Sequence, residues 1–373
     1  MPYVRQGRRP PNLRAPDFRG VSAMFISSPE KVVSTTDDML RLRESAFAID
    51  MFVVATTWVG LFDHLVASPG PRAAVCKALN IHARPADTMF TLLLSWGLLV
   101  EDDHGLRPSA LALDHMVAGS ANDLRPYYAS LKERAGVQDL LYVLQSGHSR
   151  TWEARHAGKS EAGNAKEEWT DLMRRPDFAR YYTAVMDSRG AVLAPDLARM
   201  LQVPGARLLD VAGGSGIYSS AIVARHADVS VTVLERPPVD DVARWHIDQR
   251  GLVDRIDVIG ADMFADPLPE GFDTHLYTHI LHDWTLESGA VLLRKSYAAL
   301  NAGGQVAIYS AHLDDDKAGP APVAEYSVLM MYLYEGRCYS VAEMRSLMEQ
   351  AGFVDIQVSH GIGWRSLITG RKA

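Results

Sequence analysis

The stretch "ARLLDVAGGSGIYSSAI", Ala206–Ile222, decides the fold. A short apolar run ends around Asp210, and Gly213, Gly214 and Gly216 then turn the chain into a helical pattern. Strand, glycine turn and helix in that order form one unit of an α/β sheet. Glycine is needed where a ligand lies against the backbone and a Cβ would collide with it. Gly214-x-Gly216-x-x-Ser219 is close to a dinucleotide fingerprint; a purely structural turn is the competing reading.

Working outward, strands and helices alternate from Val203 onward. "VSVTVLERPP" reads as a second strand, "RIDVIGADMF" as a third and "THLYTHIL" as a fourth, followed by the helix "LESGAVLLRKSYAAL". "GGQVAIYSAHL" is a fifth strand. After the helix "SVAEMRSLMEQAGF" come "VDIQVSH" and "WRSLITGRK", two final strands. The pattern predicts a Rossmann-like, doubly wound, mostly parallel sheet over 201–373. Ligands in such sheets sit beyond the carboxyl ends of the strands, where strand order reverses. Glu235 closes the second strand, where an acid can hold a ribose diol, a contact that NAD and S-adenosylmethionine (SAM) share. Asp262 and Met263 close the third. A carboxylate there can accept from an adenine amino group while the thioether packs on the ring. A pyrophosphate would be repelled by Asp210, whereas the ammonium and sulfonium of SAM would be attracted, so the acidic rim favours SAM.

Upstream, 34–123 reads as helices closed by a hairpin. "RAAVCKALNI" and "RPADTMFTLLLSWGLLVEDD" are helical, and "LLVEDDHGLRPS" is strand, turn and return, a winged-helix pattern. Pro85 to Leu99 carries no Lys or Arg, so this element is expected to be buried and not to read DNA. The span 124–200 reads as a helical linker, with "GHSRTWEARHAGKSEAGNAKEEW" a loop and a helix starting near Pro176, with or without a second one. Residues 1–33 read as a flexible Arg- and Pro-rich arm without a secretory h-region. "AFAIDMFVVATTWVGLFDHL", Ala46–Leu65, carries Asp50 and reads as a buried core or dimer helix, because a membrane span needs roughly 20 apolar residues with few charges.

The 373 residues are 47% hydrophobic and 22% charged, a globular mix. A net charge of −7 and a pI near 6.0 argue against a nucleic-acid binder. Only Cys76 and Cys338 are present, which points to a reduced, cytoplasmic protein.

"LLDVAGGSG", "VLERPPV", "GADMF", "LHDW" and "AGF" follow one another at set spacings. With the helix-and-wing N-terminal region, the chain resembles the class I SAM-dependent O-methyltransferases of the plant caffeate and bacterial natural-product type. The resemblance implies a homodimer built on the winged-helix domain. It implies cofactor contacts at Gly213, Glu235, Asp262 and Met263, to which Asp210, Gly214, Gly216, Asp283 and Trp284 are added from their places on the rim. It also makes His282 of "LHDW" the catalytic base. A phenol with a pKa of roughly 10 is a poor nucleophile until deprotonated, and His titrates in a range that helps. Trp284 would wall the cofactor side, and Asp283 would either cap the next helix or touch the cofactor.

The chain departs from that family at the acids that brace the base. Counting along the motifs puts Ser310 and Cys338 at their places, with Glu335 three residues from the second. Tyr181, Met186, Tyr326, Met330 and Met331 suit a flat aromatic acceptor, and His279 and Ser310 join the acceptor set. Arg189 and Arg337 are read either as partners for an acidic group on the substrate or as solvated cations. His275, His279, His282, His312 and His360 lie near sheet elements, but strand alternation argues against a metal site, and none is expected. The expectation is a SAM-dependent transfer of methyl to a hydroxyl of an aromatic small molecule in secondary metabolism, without nucleic-acid or membrane partners. Carbon or nitrogen methylation, a SAM enzyme that transfers no methyl, a winged-helix regulator and an NAD oxidoreductase are the alternatives.

Overall fold

The computed structural model describes residues 35–149 and 173–373. The expected arm, 1–33, and most of the charged loop after Gly147 lie outside the described residues. Helix α1 (Thr36–Glu44) leads into α2 (Ala48–Val53), a π-helical turn (Val54–Trp58) and α3 (Leu61–Ala67). The apolar span read as one helix is therefore broken. Thr56 and Thr57 bond back to the carbonyls of Phe52 and Val53, at 2.8 and 2.7 Å, and Gly60 turns the chain at φ 65°. The two halves meet at 53°, and among the described residues no single helix is long and apolar enough to cross a membrane.

Helices α4 (Arg72–Leu79) and α5 (Ala83–Ser95) precede a hairpin of β1 (Leu99–Asp102) and β2 (Gly105–Pro108), paired from Leu99↔Pro108 to Asp102↔Gly105. Gly105 is required at the turn: its φ is 102°, and a Cβ would fall 2.1 Å from the Gly70 carbonyl carbon. Helix α5 buries Met89, Phe90, Leu92 and Leu93 completely, on the stretch after Arg84 that carries no cation. Short helices α6 (Ala110–His115) and α7 (Arg125–Ala129) lead to α8 (Ala135–Ser146). The segment from Pro176 is one helix, α9 (Pro176–Met200), which runs unbroken through Pro195.

The sheet follows. Strands β3 (Arg207–Val211), β4 (Ser230–Glu235), β5 (Ile256–Gly260), β6 (Phe272–Thr278), β7 (Leu300–Ala311), β8 (Phe353–His360) and β9 (Arg365–Lys372) stand in the order β5-β4-β3-β6-β7-β9-β8. The first five pair in parallel, and β9 and β8 close the edge antiparallel. Helices α10 (Ile217–Arg225) and α11 (Val239–Gln249) pack with α9 on one face. Helix α12 (Leu286–Ala299) and α14 (Val341–Ala351) cover the other. Covered on both faces, β6 is buried almost throughout, which is why its sequence shows no clean alternation. Helix α13 (Ala321–Leu333) runs between the sheet and α5, with Val328 and Met331 in the N-terminal core. Strand order reverses between β3 and β6, so a crevice is expected at their carboxyl ends.

Candidate active site

A cavity of about 960 Å³ lies at that crevice. One wall is the rim of the sheet: Gly213 and Gly214 after β3, Glu235 at the end of β4, Asp262 and Met263 after β5, and, after β6, His279, Ile280, His282, Asp283 and Trp284. The opposite wall comes from α9 and α13, with Arg43 of α1 at its edge.

The glycine turn is set from below. Asp210 is fully buried, accepts from Ser219 Oγ at 2.6 Å and keeps Oδ1 without a partner. A Cβ on Gly213 would sit 2.6 Å from the Asp210 carboxyl carbon. Asp210 therefore supports the turn and does not line the cavity. Gly216, at φ 70°, starts α10 and packs near Ile247, also outside the wall. Glu235 accepts from the Gly214 and Arg236 amides, both at 3.1 Å, and so ties β4 to the turn. Burial raises the Asp210 carboxyl to about 6 against the pull of Ser219, and the Glu235 carboxyl to about 7 against those two amides. Asp262 Oδ1 accepts from the amides of Phe264 (2.8 Å) and Ala265 (3.1 Å), and Lys295 of α12 donates to the carbonyls of Met263, Phe264 and Asp266. The loop that carries Asp262 and Met263 is thus fastened from both sides. Trp284 stands in the wall with its ring 4.7 Å from that of Phe264.

His282 lies on a short 3₁₀ turn, Leu281–Asp283, directly after β6. Its Nδ1 is 2.9 Å from Ser310 Oγ, and its Nε2 is 3.5 Å from Asp283 Oδ1. Asp283 does not cap α12, because Thr285 does so by accepting from the Ser288 amide at 3.3 Å. Burial, then the charges of Arg189 and Arg365, hold the His279 and His282 imidazoles well below 6.5, so both are neutral bases at pH 7. Burial raises the Asp283 carboxyl to about 8 in spite of Arg189. His279 adopts φ 58° and keeps both ring nitrogens buried without a partner, 5.6 Å from the His282 ring between centroids.

The two positions read as missing braces divide. Ser310 contacts His282, although it is not part of the cavity wall. Cys338 is buried with its thiol pushed up by desolvation, so it supplies no anion. Glu335 stands outside the wall, and its charge acts on Arg84. Gly336, which carried no sequence signal, is pressed against this turn: a Cβ there would be 2.2 Å from the His282 carbonyl oxygen.

Of the residues expected to take the acceptor, Met186, Tyr326 and Met330 line the cavity on the α9 and α13 wall, and Tyr181 and Met331 do not. Tyr181 is 66% exposed, and its neighbour Tyr182 takes its place. Tyr182, Met186 and Arg189 recur at four and three residues, one face of a helix, whereas Tyr181 lies off that face. Tyr326, Met330 and Leu333 repeat that spacing on α13, and Met331 turns into the N-terminal core instead. Arg337 is bound to Glu343 and Asp87 and faces away from the cavity. Among the described residues no group of three or more His, Cys, Asp or Glu side chains converges as a metal site requires.

Residues 143–354, more than half of the chain, match an O-methyltransferase domain. The chain is 30% identical over 86% of its length to a 3-hydroxy-5-methyl-1-naphthoate 3-O-methyltransferase of Streptomyces sahachiroi, covering 91% of that protein. The chain belongs to the O-methyltransferase family. It is a SAM-dependent methyltransferase. It is also 32% identical to an L-tyrosine C(3)-methyltransferase of Streptomyces lavendulae, over 81% of this chain and 82% of that one. An O-methyltransferase family 2 protein of Planctomyces limnophilus, solved in complex with apigenin, superposes with a TM-score of 0.79 at 26% identity, over 90% of this chain and 96% of that one.

The site of this methyltransferase suits SAM chemically. The Gly213–Gly214 turn leaves backbone open to a ligand, and Glu235 and Asp262 offer carboxylates to hydroxyl, amino or cationic groups. Met263, Phe264 and Trp284 provide the apolar surface that an adenine needs.

Proposed function

We propose that this methyltransferase moves a methyl group from SAM to a hydroxyl of an aromatic small molecule, with His282 as the base. The observation that carries the proposal is that His282 opens onto the same cavity as the acidic cofactor rim and the aromatic wall. Glu235 would hold the ribose diol, Asp262 and Met263 the adenine, and Gly213 and Gly214 the backbone side of the cofactor, while Trp284 closes over it. SAM supplies an electrophilic methyl on a cationic sulfur.

The chain then has two tasks. It must hold the acceptor oxygen in line with that methyl, a positioning role for Tyr182, Met186, Tyr326 and Met330. It must also take the acceptor proton. His282 Nε2 receives it, while the proton already on Nδ1 is donated to Ser310 Oγ, which fixes the tautomer. Asp283 Oδ1 lies 3.5 Å from Nε2, but burial raises its carboxyl to about 8, so near pH 7 it stands beside the ring chiefly as a neutral acid and does not replace the carboxylate braces absent at Ser310 and Cys338.

Carbon methylation is the second reading, supported by the likeness to a tyrosine C-methyltransferase. We further propose that 34–123 acts as a winged-helix dimerisation unit, that 124–200 completes the acceptor wall, and that the enzyme works as a cytoplasmic homodimer.

The test is incubation with SAM and a panel of phenols, with the methylated atom located by NMR. His282→Ala should lower turnover by roughly two to four powers of ten and leave SAM affinity near wild type. Unchanged turnover would remove the base role. A product methylated on ring carbon would select the second reading.

A further inference from the structure

Both walls of the cavity carry charges of both signs: Glu235, Arg236, Asp262 and Asp283 at the sheet rim, and Arg43, Asp187 and Arg189 on the wall built by α9 and α1, where Asp187 is already paired with Arg250. Arg189 is turned inward on the same helical face as Tyr182 and Met186. Its Nη1 donates to the Tyr326 hydroxyl at 3.1 Å, and its Nε is buried without a partner. Among the described residues no carboxylate lies within 4.0 Å of this guanidinium. Arg365 meets Glu44, Arg337 meets Glu343 and Arg72 meets Glu101, while Arg84 is satisfied by the backbone carbonyls of Gly147, Met331, Tyr334 and Gly336. A desolvated cation left uncompensated is unfavourable, so a ligand that brings a negative charge is favoured there.

Tyr326 fixes the distance between the two ends of the acceptor site. Its ring lies 5.7 Å from the His282 ring between centroids, and its hydroxyl meets Arg189. A group on Arg189 and a group at His282 would therefore lie on separate edges of one flat molecule, in a cavity also lined by Tyr182, Tyr334, Met186 and Met330.

We propose that Arg189 takes a carboxylate on the acceptor, which makes the acceptor a hydroxylated aromatic acid. This rests on the reading of α9 and α13 as the acceptor wall. The guanidinium fork suits a carboxylate through two parallel hydrogen bonds, which also fix the ring in its plane and aim the hydroxyl at His282.

The experiment is calorimetric titration of a positional panel of hydroxynaphthoic acids and their methyl esters into the full-length protein saturated with S-adenosylhomocysteine. The tightest acid should bind about 10- to 100-fold more strongly than its own ester. Arg189→Met should weaken that acid at least about tenfold more than the ester, and Arg189→Lys should recover part of the loss. The proposal is overturned if no acid of the panel binds, if no acid exceeds its ester, or if Arg189→Met weakens both alike. Should Arg189→Met fail to fold, the wild-type comparison of acid and ester and the Arg189→Lys variant still decide it. Methyl transfer from SAM is measured on the same panel. Acid binding without transfer would sink the methyl-acceptor reading and leave the anion site. Equal transfer to acids and esters would do the reverse.

Discussion

At His282 the hydrogen-bond partner is a hydroxyl, Ser310 Oγ at 2.9 Å, at the place where the family pattern has a carboxylate and the sequence count put Ser310. A hydroxyl orients the ring without adding negative charge, so nothing on that side opposes the burial and the two arginines that depress the imidazole. The sign is fixed by that depression. The basic form persists to acid pH, and with SAM saturating the acid limb of the kcat/KM profile for the acceptor should lie well below 6.5. Ser310→Asp would place a carboxylate against Nδ1, favour the imidazolium and move that limb upward. Ser310→Ala would remove only the orienting bond. About a tenfold loss in kcat is expected, with the limb unmoved and SAM affinity unchanged. A pH–rate profile of the three proteins checks this. A wild-type limb at or above pH 7 would show that the buried imidazole is not depressed as the geometry requires.

Among the elements, the loop after β5 depends on a helix 30 residues downstream. Lys295 of α12 reaches the carbonyls of Met263 (2.6 Å), Phe264 (3.0 Å) and Asp266 (2.5 Å), so one ammonium holds the turn that presents Asp262 and Met263. Lys295→Met keeps the length of the side chain and removes all three bonds. SAM binding should weaken by about tenfold and the melting midpoint should fall, while kcat at saturating SAM changes little. If kcat falls instead and the affinity holds, the loop is not what Lys295 positions.

The contrast shows what the sequence could carry. The sheet was legible because its central strands are buried on both faces and read as apolar runs ended by Gly or Asp, a local property. The acceptor face of α9 was half legible. The run of adjacent tyrosines at 181–182 hid which one faces inward until the spacing to Met186 and Arg189 was applied. Lys295 and Gly336 were not legible at all. Their roles come from backbone approached across the fold, and nothing in their neighbourhood in the chain encodes it. The broken helix near Gly60 was missed for the reverse reason: its composition is that of a continuous helix, and the break is made by two threonines and one glycine.

Over the whole molecule, three carboxyls around the cofactor turn are held protonated above their ordinary range: Asp210 to about 6, Glu235 to about 7 and Asp283 to about 8, each chiefly by burial. The unfolded chain ionises these groups near pH 4, so above that pH the native state binds more protons than the unfolded one. Stability then falls as pH rises through the native values. The buried histidines act in the opposite sense. His279 and His282, held well below 6.5, contribute stability that is lost only as pH falls below the unfolded value. Between about pH 6.5 and 8.5 the histidines no longer change, and the carboxyls alone set the slope. In that window the ligand-free protein should melt at a progressively lower temperature. Asp283 keeps 28% of its side chain open to the cavity, so most of the effect there belongs to Glu235. If Glu235 holds the ribose diol as proposed, SAM and S-adenosylhomocysteine favour its ionised form, and binding would release the proton and tighten as pH rises. The stabilisation by S-adenosylhomocysteine should therefore be larger at pH 8.5 than at pH 6.5, by up to about 0.8 kcal/mol, and Glu235→Gln should flatten both curves. Thermal melts with and without ligand at the two pH values measure it. A ligand-free midpoint that rises with pH across this window would mean that the carboxyls are already ionised in the native protein.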